Sequence, residues 1–154
     1  MLRRLVASIG YRAARAIDGV PEAFAAFSPA PDARTPLALV EHVAELVEWS
    51  ARLLEGAGEG TRAAAAPRPP GIASWSEATA RLAAAVRRLD GAVAGADLGA
   101  ADVGRIVQGP LADALTHVGQ LAYLRRLAGW PMPRQNYFRA DMNLDGGMAG
   151  GREP

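Results

Sequence analysis

Three features of this 154-residue chain predict an all-α fold. Alanine supplies 34 of the residues, and alanine favours helix because it loses no side-chain entropy there. Apolar residues recur at spacings of three and four, which is the period of an amphipathic helix. Alternating runs of valine, isoleucine and threonine, which would indicate strands, are nearly absent. Four helical patterns joined by loops that can reverse the chain direction predict a four-helix bundle.

The first two helices are predicted from their apolar faces and start signals. Helix one begins at Leu2 and runs to a bend at residues 19–21. Its first 16 residues contain four arginines and no acid, which also resembles an organelle transit peptide, but the stretch continues unbroken into the amphipathic pattern. We therefore interpret it as helix. Helix two covers about residues 36–55, with Thr35 as N-cap and Pro36 in the first turn.

Helix two has the most regular pattern in the chain. Its charged residues recur at spacings of four and three and predict a solvated stripe: Glu41, Glu45, Glu48, Arg52 and Glu55. The opposite face is apolar and includes His42, three residues after Leu39 and four before Leu46. A histidine on this face is therefore expected to look inward.

The third and fourth helices have start signals of different kinds. Ser74 and Glu77 have the spacing of a capping box, so helix three is predicted over about residues 75–94. Pro110 is predicted to start helix four, which ends at Ala128. The long connection before helix three, residues 56–71, is rich in glycine, alanine and proline.

The chain length fits one domain, predicted at residues 1–130, followed by a Pro/Gly-rich tail at 131–154. An aromatic cluster lies at the start of this tail: Trp130, Tyr137 and Phe138. We expect part of the tail to pack back on the bundle, and the last ten residues to be disordered.

Composition excludes several classes of chemistry. The chain has no cysteine, and all 17 basic residues are arginine, so a thiolate nucleophile, a cysteine zinc site and a Schiff-base lysine are excluded. A net charge of +1 with 21% charged residues argues against nucleic acid and anionic membranes as partners. Neither a secretory signal nor an apolar run of about 18–20 residues is visible, so a cytoplasmic location is expected.

The two histidines of the chain and one aspartate form a candidate metal site. Asp113 and His117 are one turn apart on helix four, as in other metal-ligand pairs, and Gln120 follows on the same face. His42 on helix two is the third group. Two imidazoles and a carboxylate would leave positions open for water or substrate. Histidines satisfied within the core, or a plain His–Asp hydrogen bond, would explain the same pattern without a metal.

Two segments resemble the DinB-like (YfiT-like) superfamily. Residues 109–129 read GPLADALTHVGQLAYLRRLAG, which is similar to the last helix of that family, where a His-x-x-x-His pair precedes a Gly-Gln step and a leucine-rich end. Residues 39–43, LVEHV, resemble the stretch that holds the first metal ligand on the second helix. The resemblance covers about residues 2–128 and implies a four-helix bundle.

The resemblance also implies a divalent metal, most often zinc or nickel, held by three histidines. His42 and His117 match the first and last ligands, and Asp113 stands where the family has the middle histidine. An aspartate adds a negative charge and a harder oxygen ligand, so manganese and iron are further candidates, and weakened or lost metal binding stays open. Gln120 is expected to hydrogen-bond a ligand or a substrate, although a plain polar helix position fits equally well.

Members of this superfamily include thiol-dependent transferases and isomerases that use low-molecular-weight thiols such as bacillithiol or mycothiol. The resemblance therefore implies a metal-dependent transferase or hydrolase that acts on a small electrophilic substrate. Because the chain has no cysteine, any thiol would come from outside. The alternative is a non-catalytic helical module with a vestigial or structural site. A homodimer is also implied.

Overall fold

The structure, a computed structural model, describes residues 1–57, 74–96 and 100–142, which are helical and contain no strand. The predicted all-α class is confirmed. The α-helices are α1 (Leu2–Ile17), α2 (Pro36–Leu54), α3 (Trp75–Gly95), α4 (Ala100–Ile106) and α5 (Ala112–Leu127). A short 3₁₀ helix, Glu22–Ala26, follows α1. The connection predicted at 56–71 lies almost wholly outside the described residues, and the predicted disordered end lies wholly outside them.

Both predicted N-terminal caps are confirmed. The Thr35 hydroxyl accepts a hydrogen bond from the Ala38 amide at 3.2 Å, and Pro36 occupies the first turn of α2. At α3 the Ser74 hydroxyl accepts from the Glu77 amide at 3.2 Å, while a Glu77 carboxylate oxygen accepts from the Ser74 amide at 2.7 Å. These bonds satisfy amide groups that have no partner inside the helix.

The predicted start of helix four at Pro110 is wrong. Helical structure already begins at Ala100, and Pro110 lies inside a π-helical segment, Val107–Leu111, that joins α4 to α5 without a break. Proline lacks an amide hydrogen, and its ring clashes with a carbonyl of the preceding turn in a regular α-helix. The wider π turn accommodates the ring, so the helix passes through a residue that usually marks an end.

The four helical rods, counting α4, the π segment and α5 as one, enclose a common core. α1 and α2 each pack against both α3 and α5. The largest fully buried side chains are apolar and come from every rod and from the 3₁₀ helix: Ile9, Phe24, Leu39, Leu82, Leu89, Leu111 and Leu121. Arg3, near the start of α1, donates two hydrogen bonds to Asp90, near the end of α3, so these two helices are antiparallel. None of the described helices has both the length and the apolar character needed to cross a membrane.

The charged stripe of α2 lies beside α3 and is only partly solvated, which corrects the prediction in part. Glu41 is only 6% exposed. Glu48 and Glu55 each accept two hydrogen bonds, from Arg81 and Arg88 respectively. Because both pairs have the same offset in sequence, α2 and α3 run in the same direction, and the chain does not reverse between them as predicted.

The segment that follows α5 packs against α1 and the 3₁₀ helix. The Trp130 ring meets the Phe24 ring edge to face, with centroids 6.0 Å apart. The Arg12 guanidinium lies 3.8 Å from the centre of the Tyr137 ring, whose edge also contacts Tyr11. Cation–π and aromatic contacts of this kind hold the segment at least as far as Tyr137.

Candidate metal centre

The interface between α2 and α5 brings together the three residues of the candidate site. One ligand atom each from His42, Asp113 and His117 lies within 4.8 Å of the other two. The two carboxylate oxygens of Asp113 point to different rings, at 3.7 Å from His42 Nε2 and 3.3 Å from His117 Nε2. The centres of the two imidazole rings are 4.7 Å apart. This group could hold a metal ion.

The separations between these atoms suit ligands of one ion. Donor atoms that lie about 2.1 Å from a metal at tetrahedral angles are about 3.4 Å from each other. The two distances from Asp113, 3.3 and 3.7 Å, fall on either side of that value. They exceed the roughly 2.7–2.9 Å of a charge-assisted hydrogen bond. Both His–Asp contacts are thus longer than an ordinary charge-assisted hydrogen bond, and each uses a different oxygen of Asp113.

Gln120 determines which nitrogen of His117 faces the site. Its side-chain oxygen lies 2.8 Å from His117 Nδ1. An amide oxygen can only accept, so this contact is a hydrogen bond in the tautomer that carries its hydrogen on Nδ1 and leaves a lone pair on Nε2. That lone pair faces the carboxylate of Asp113, and two acceptors at 3.3 Å repel unless a proton or a cation lies between them. Gln120 thus supports His117 as a ligand, in the way that outer hydrogen bonds orient metal-bound histidines.

Glu45 adds a second negative charge near the site. One of its carboxylate oxygens lies 3.7 Å from His42 Nδ1, on the opposite edge of the ring from Asp113. Its side chain is 43% exposed, so it belongs both to the surface and to the surroundings of His42. Two carboxylates beside two imidazoles create a local negative potential that favours a divalent cation.

The site lies at the edge of the core and is open to solvent. The exposed fractions of the side chains are 14% for His117, 20% for His42 and 44% for Asp113. His117 and Gln120 line one side of a cavity of about 350 Å³. The inward orientation predicted for the histidines is therefore only partly realised, because their rings are half-buried and one of them borders open space.

The π-helical segment sets the orientation of the two ligands on α5. It ends at Leu111, two residues before Asp113. One extra residue in a turn rotates everything that follows by about 100° relative to a regular α-helix. Asp113 and His117 therefore face α2. The apolar periodicity of the residues before the π segment does not predict this direction.

A second cavity lies along the same pair of helical rods. It has a volume of about 480 Å³, and its apolar wall includes Trp49, Leu53, Ile106 and Pro110. Trp49 follows His42 by two helical turns, and Pro110 precedes Asp113 by about one. None of the three candidate metal ligands lines this second cavity.

Comparisons with protein families, with curated proteins and with solved structures found no match. The resemblance to the DinB-like superfamily therefore stays a prediction based on the motif around Asp113 and His117.

Sequence reasoning did not single out Arg34, which lines the same cavity as His117. It precedes the cap of α2 in a loop that carries no recognisable motif. Only the packing of this loop beside α5 reveals that its side chain borders the site. The signal available in the sequence was a lone arginine next to an N-cap, which is common on protein surfaces.

Proposed function

We propose that this protein is a metal-dependent enzyme that activates a thiol or a water molecule for attack on a small electrophilic substrate. The observation that carries the proposal is the convergence of His42, Asp113 and His117 beside an open cavity. The resemblance to the DinB-like superfamily supports it. Two imidazoles and one carboxylate suit zinc or nickel, and also manganese or iron.

A divalent ion in this site would act as a Lewis acid and lower the pKa of a coordinated thiol or water. Three protein ligands leave at least one coordination position open. The protein's part is to hold His117 in the right tautomer through Gln120 and to contribute the charge of Asp113. Because the chain has no cysteine, the thiol would be a low-molecular-weight compound supplied as cosubstrate.

Loading the purified protein with cobalt and adding a thiol and an alkylating electrophile would test the proposal. We expect the loaded protein to accelerate thiol alkylation and a chelator to abolish the acceleration. The Asp113→Asn variant should lose at least about tenfold of the rate, as expected when a ligand is weakened. The matched control is Asp102→Asn, which removes the same charge from an exposed position on α4 and should behave as the wild type. Equal rates with and without chelator would contradict the proposal.

A homodimer is proposed as the working state. Tyr123 and Leu127 are 61% and 47% exposed and lie one turn apart on α5, so they form an apolar strip. Burial of this strip between two copies would favour association. The alternative function, a non-catalytic dimeric module, shares this prediction but requires no rate acceleration. Sedimentation of the wild type at high micromolar concentration should give a dimer, and Leu127→Ser should shift it to monomer. A monomeric wild type would contradict the proposed state.

A further inference from the structure

We infer that the cavity beside His117 binds a small carboxylate-bearing molecule, with Arg34 holding the carboxylate. This inference rests on the proposed function and specifies the class of molecule that reaches the metal. The cavity has a volume of about 350 Å³, near the lower end of the roughly 300–1,000 Å³ that small-ligand sites occupy. Its occupant is therefore small.

The wall of this cavity combines a candidate metal ligand with a single permanent charge. His117 and Gln120 line it on the side of the candidate metal, and Arg34 contributes the one permanent side-chain charge among the described residues of its wall. The remaining wall is formed mainly by Leu39, Leu124 and the ring of Tyr123. A ligand in this cavity thus meets a candidate metal ligand, apolar side chains and a cation.

The backbone of Arg34 is held on both sides. Before it, the Ala33 amide donates to the Ala30 carbonyl at 3.1 Å, closing a turn. After it, Thr35 caps α2 through the hydrogen bond from Ala38. The backbone from which the Arg34 side chain extends is therefore held in place on both sides.

The Arg34 side chain has no carboxylate partner within the part of the chain that the structure describes. By contrast, Arg81 and Arg88 each form two hydrogen bonds with a glutamate. Arg87 and Arg126 are also exposed and form no ion pair with the described residues, but Arg34 differs because it borders a cavity that contains a candidate metal ligand. An unpaired guanidinium in that position matches a carboxylate, which it can bind through two parallel hydrogen bonds.

The net charge of the site with a metal ion bound also favours an anionic ligand. A divalent ion and Arg34 together carry more positive charge than Asp113 and Glu45 neutralise, so the cavity attracts anions. A thiolate at the metal end and a carboxylate at the Arg34 end would offset both centres. The molecule best matched to the cavity is therefore a short thiol that carries a carboxylate, with an aliphatic stretch against the apolar wall.

Cobalt-loaded protein allows a direct test with two probes of similar size, 3-mercaptopropionate and its uncharged analogue 3-mercaptopropionamide. Binding of either thiol to cobalt is followed through the thiolate-to-cobalt absorption band. We expect the wild type to bind the carboxylate about tenfold more tightly, the amount that one charge-assisted interaction typically adds. Arg34→Gln should abolish the preference and leave binding of the amide unchanged. Arg87→Gln removes an exposed arginine from α3, outside the cavity wall, and should retain the preference.

The possible outcomes separate this inference from the function on which it rests. Protein that takes up cobalt but binds both thiols equally, or an Arg34→Gln variant that keeps the preference, overturns the carboxylate site and leaves the metal site standing. A preference lost equally in Arg87→Gln also overturns it, because general charge would then be the cause. Protein that takes up no cobalt overturns the proposed function and this inference with it.

Discussion

Replacing Arg125 by methionine should destabilise the fold far more than the same change at Arg126. The Arg125 side chain is buried and donates hydrogen bonds to the carbonyls of Arg15 and Asp18, at 2.7 and 2.8 Å, and of Trp130 at 2.7 Å. It thereby joins the end of α1 to the segment that follows α5. Methionine keeps most of the apolar stem and removes all three donors.

The expected magnitude follows from these contacts. A hydrogen bond contributes about 1 kcal/mol net, so three contribute about 3 kcal/mol. Burial of the charged guanidinium opposes this gain. Desolvation lowers the pKa of Arg125, although the nearby Asp18 carboxylate raises it. Removing the charge relieves that cost, which leaves a loss of about 2–3 kcal/mol. For a chain of this size, each kcal/mol lowers Tm by about 2–4 °C, so Tm should fall by about 5–10 °C.

Thermal unfolding followed by circular dichroism, together with urea titration, would measure the difference. Arg126 is the neighbouring residue with the same chemistry, and its side chain is exposed. The Arg126→Met variant should stay within about 0.5 kcal/mol of the wild type. If Arg125→Met were equally mild, the three hydrogen bonds would not contribute to stability and the reasoning would be refuted.

Three further predictions address the site, the helix contacts and the core. Gln120→Leu removes the acceptor for His117 Nδ1 and should weaken metal binding about tenfold in a chelator competition; unchanged affinity would contradict the role given to Gln120. Arg3 lowers the pKa of Asp90 mainly by hydrogen bonding. The stability that this ion pair adds to the fold is therefore present above the ordinary carboxyl pKa, and it is lost as the pH falls through the lowered pKa of Asp90. Arg3→Gln should therefore cost up to about 1 kcal/mol at pH 7, with a gap to the wild type that narrows below about pH 4; a gap independent of pH would argue against it. Phe24→Ala should cost about 3–5 kcal/mol in denaturant titrations, because this fully buried ring packs against two tryptophans, and a loss below 1 kcal/mol would count against that packing.

Local signals predicted the starts of α2 and α3 because capping depends on residues within one turn. Thr35 and the Ser74–Glu77 pair form the bonds expected from their spacing. Pro110 misled the prediction because a proline normally marks a helix start, and a π turn that tolerates it leaves no clear periodic signal.

Sequence periodicity did not predict the contacts between helices. The glutamates of α2 look like a solvated stripe until Arg81 and Arg88 of α3 are placed opposite them. In the same way, the sequence does not distinguish Arg125 from Arg126. Only the position of α1 shows that Arg125 is buried.

The candidate site depends partly on local spacing and partly on contacts between helices. Asp113 and His117 are one turn apart on any helix, so their proximity was predictable. The residue pattern alone made His42 the third candidate ligand, and the resemblance to a known family indicated the same pairing. Only the structure shows that α2 and α5 are neighbours. Arg34 could not be selected, because no local pattern links a loop residue to a cavity on another helix.

Metal content tests the central claim most directly. The wild type, reconstituted with zinc and freed of loose metal by gel filtration, would be analysed by inductively coupled plasma mass spectrometry beside His117→Ala and the Asp102→Asn control. The geometry predicts about one zinc per chain in the wild type and the control, and almost none in His117→Ala, because two remaining ligands hold a divalent ion weakly. Wild-type protein without stoichiometric metal, or a His117→Ala variant that retains it, would contradict the assignment of His42, Asp113 and His117 as a metal site.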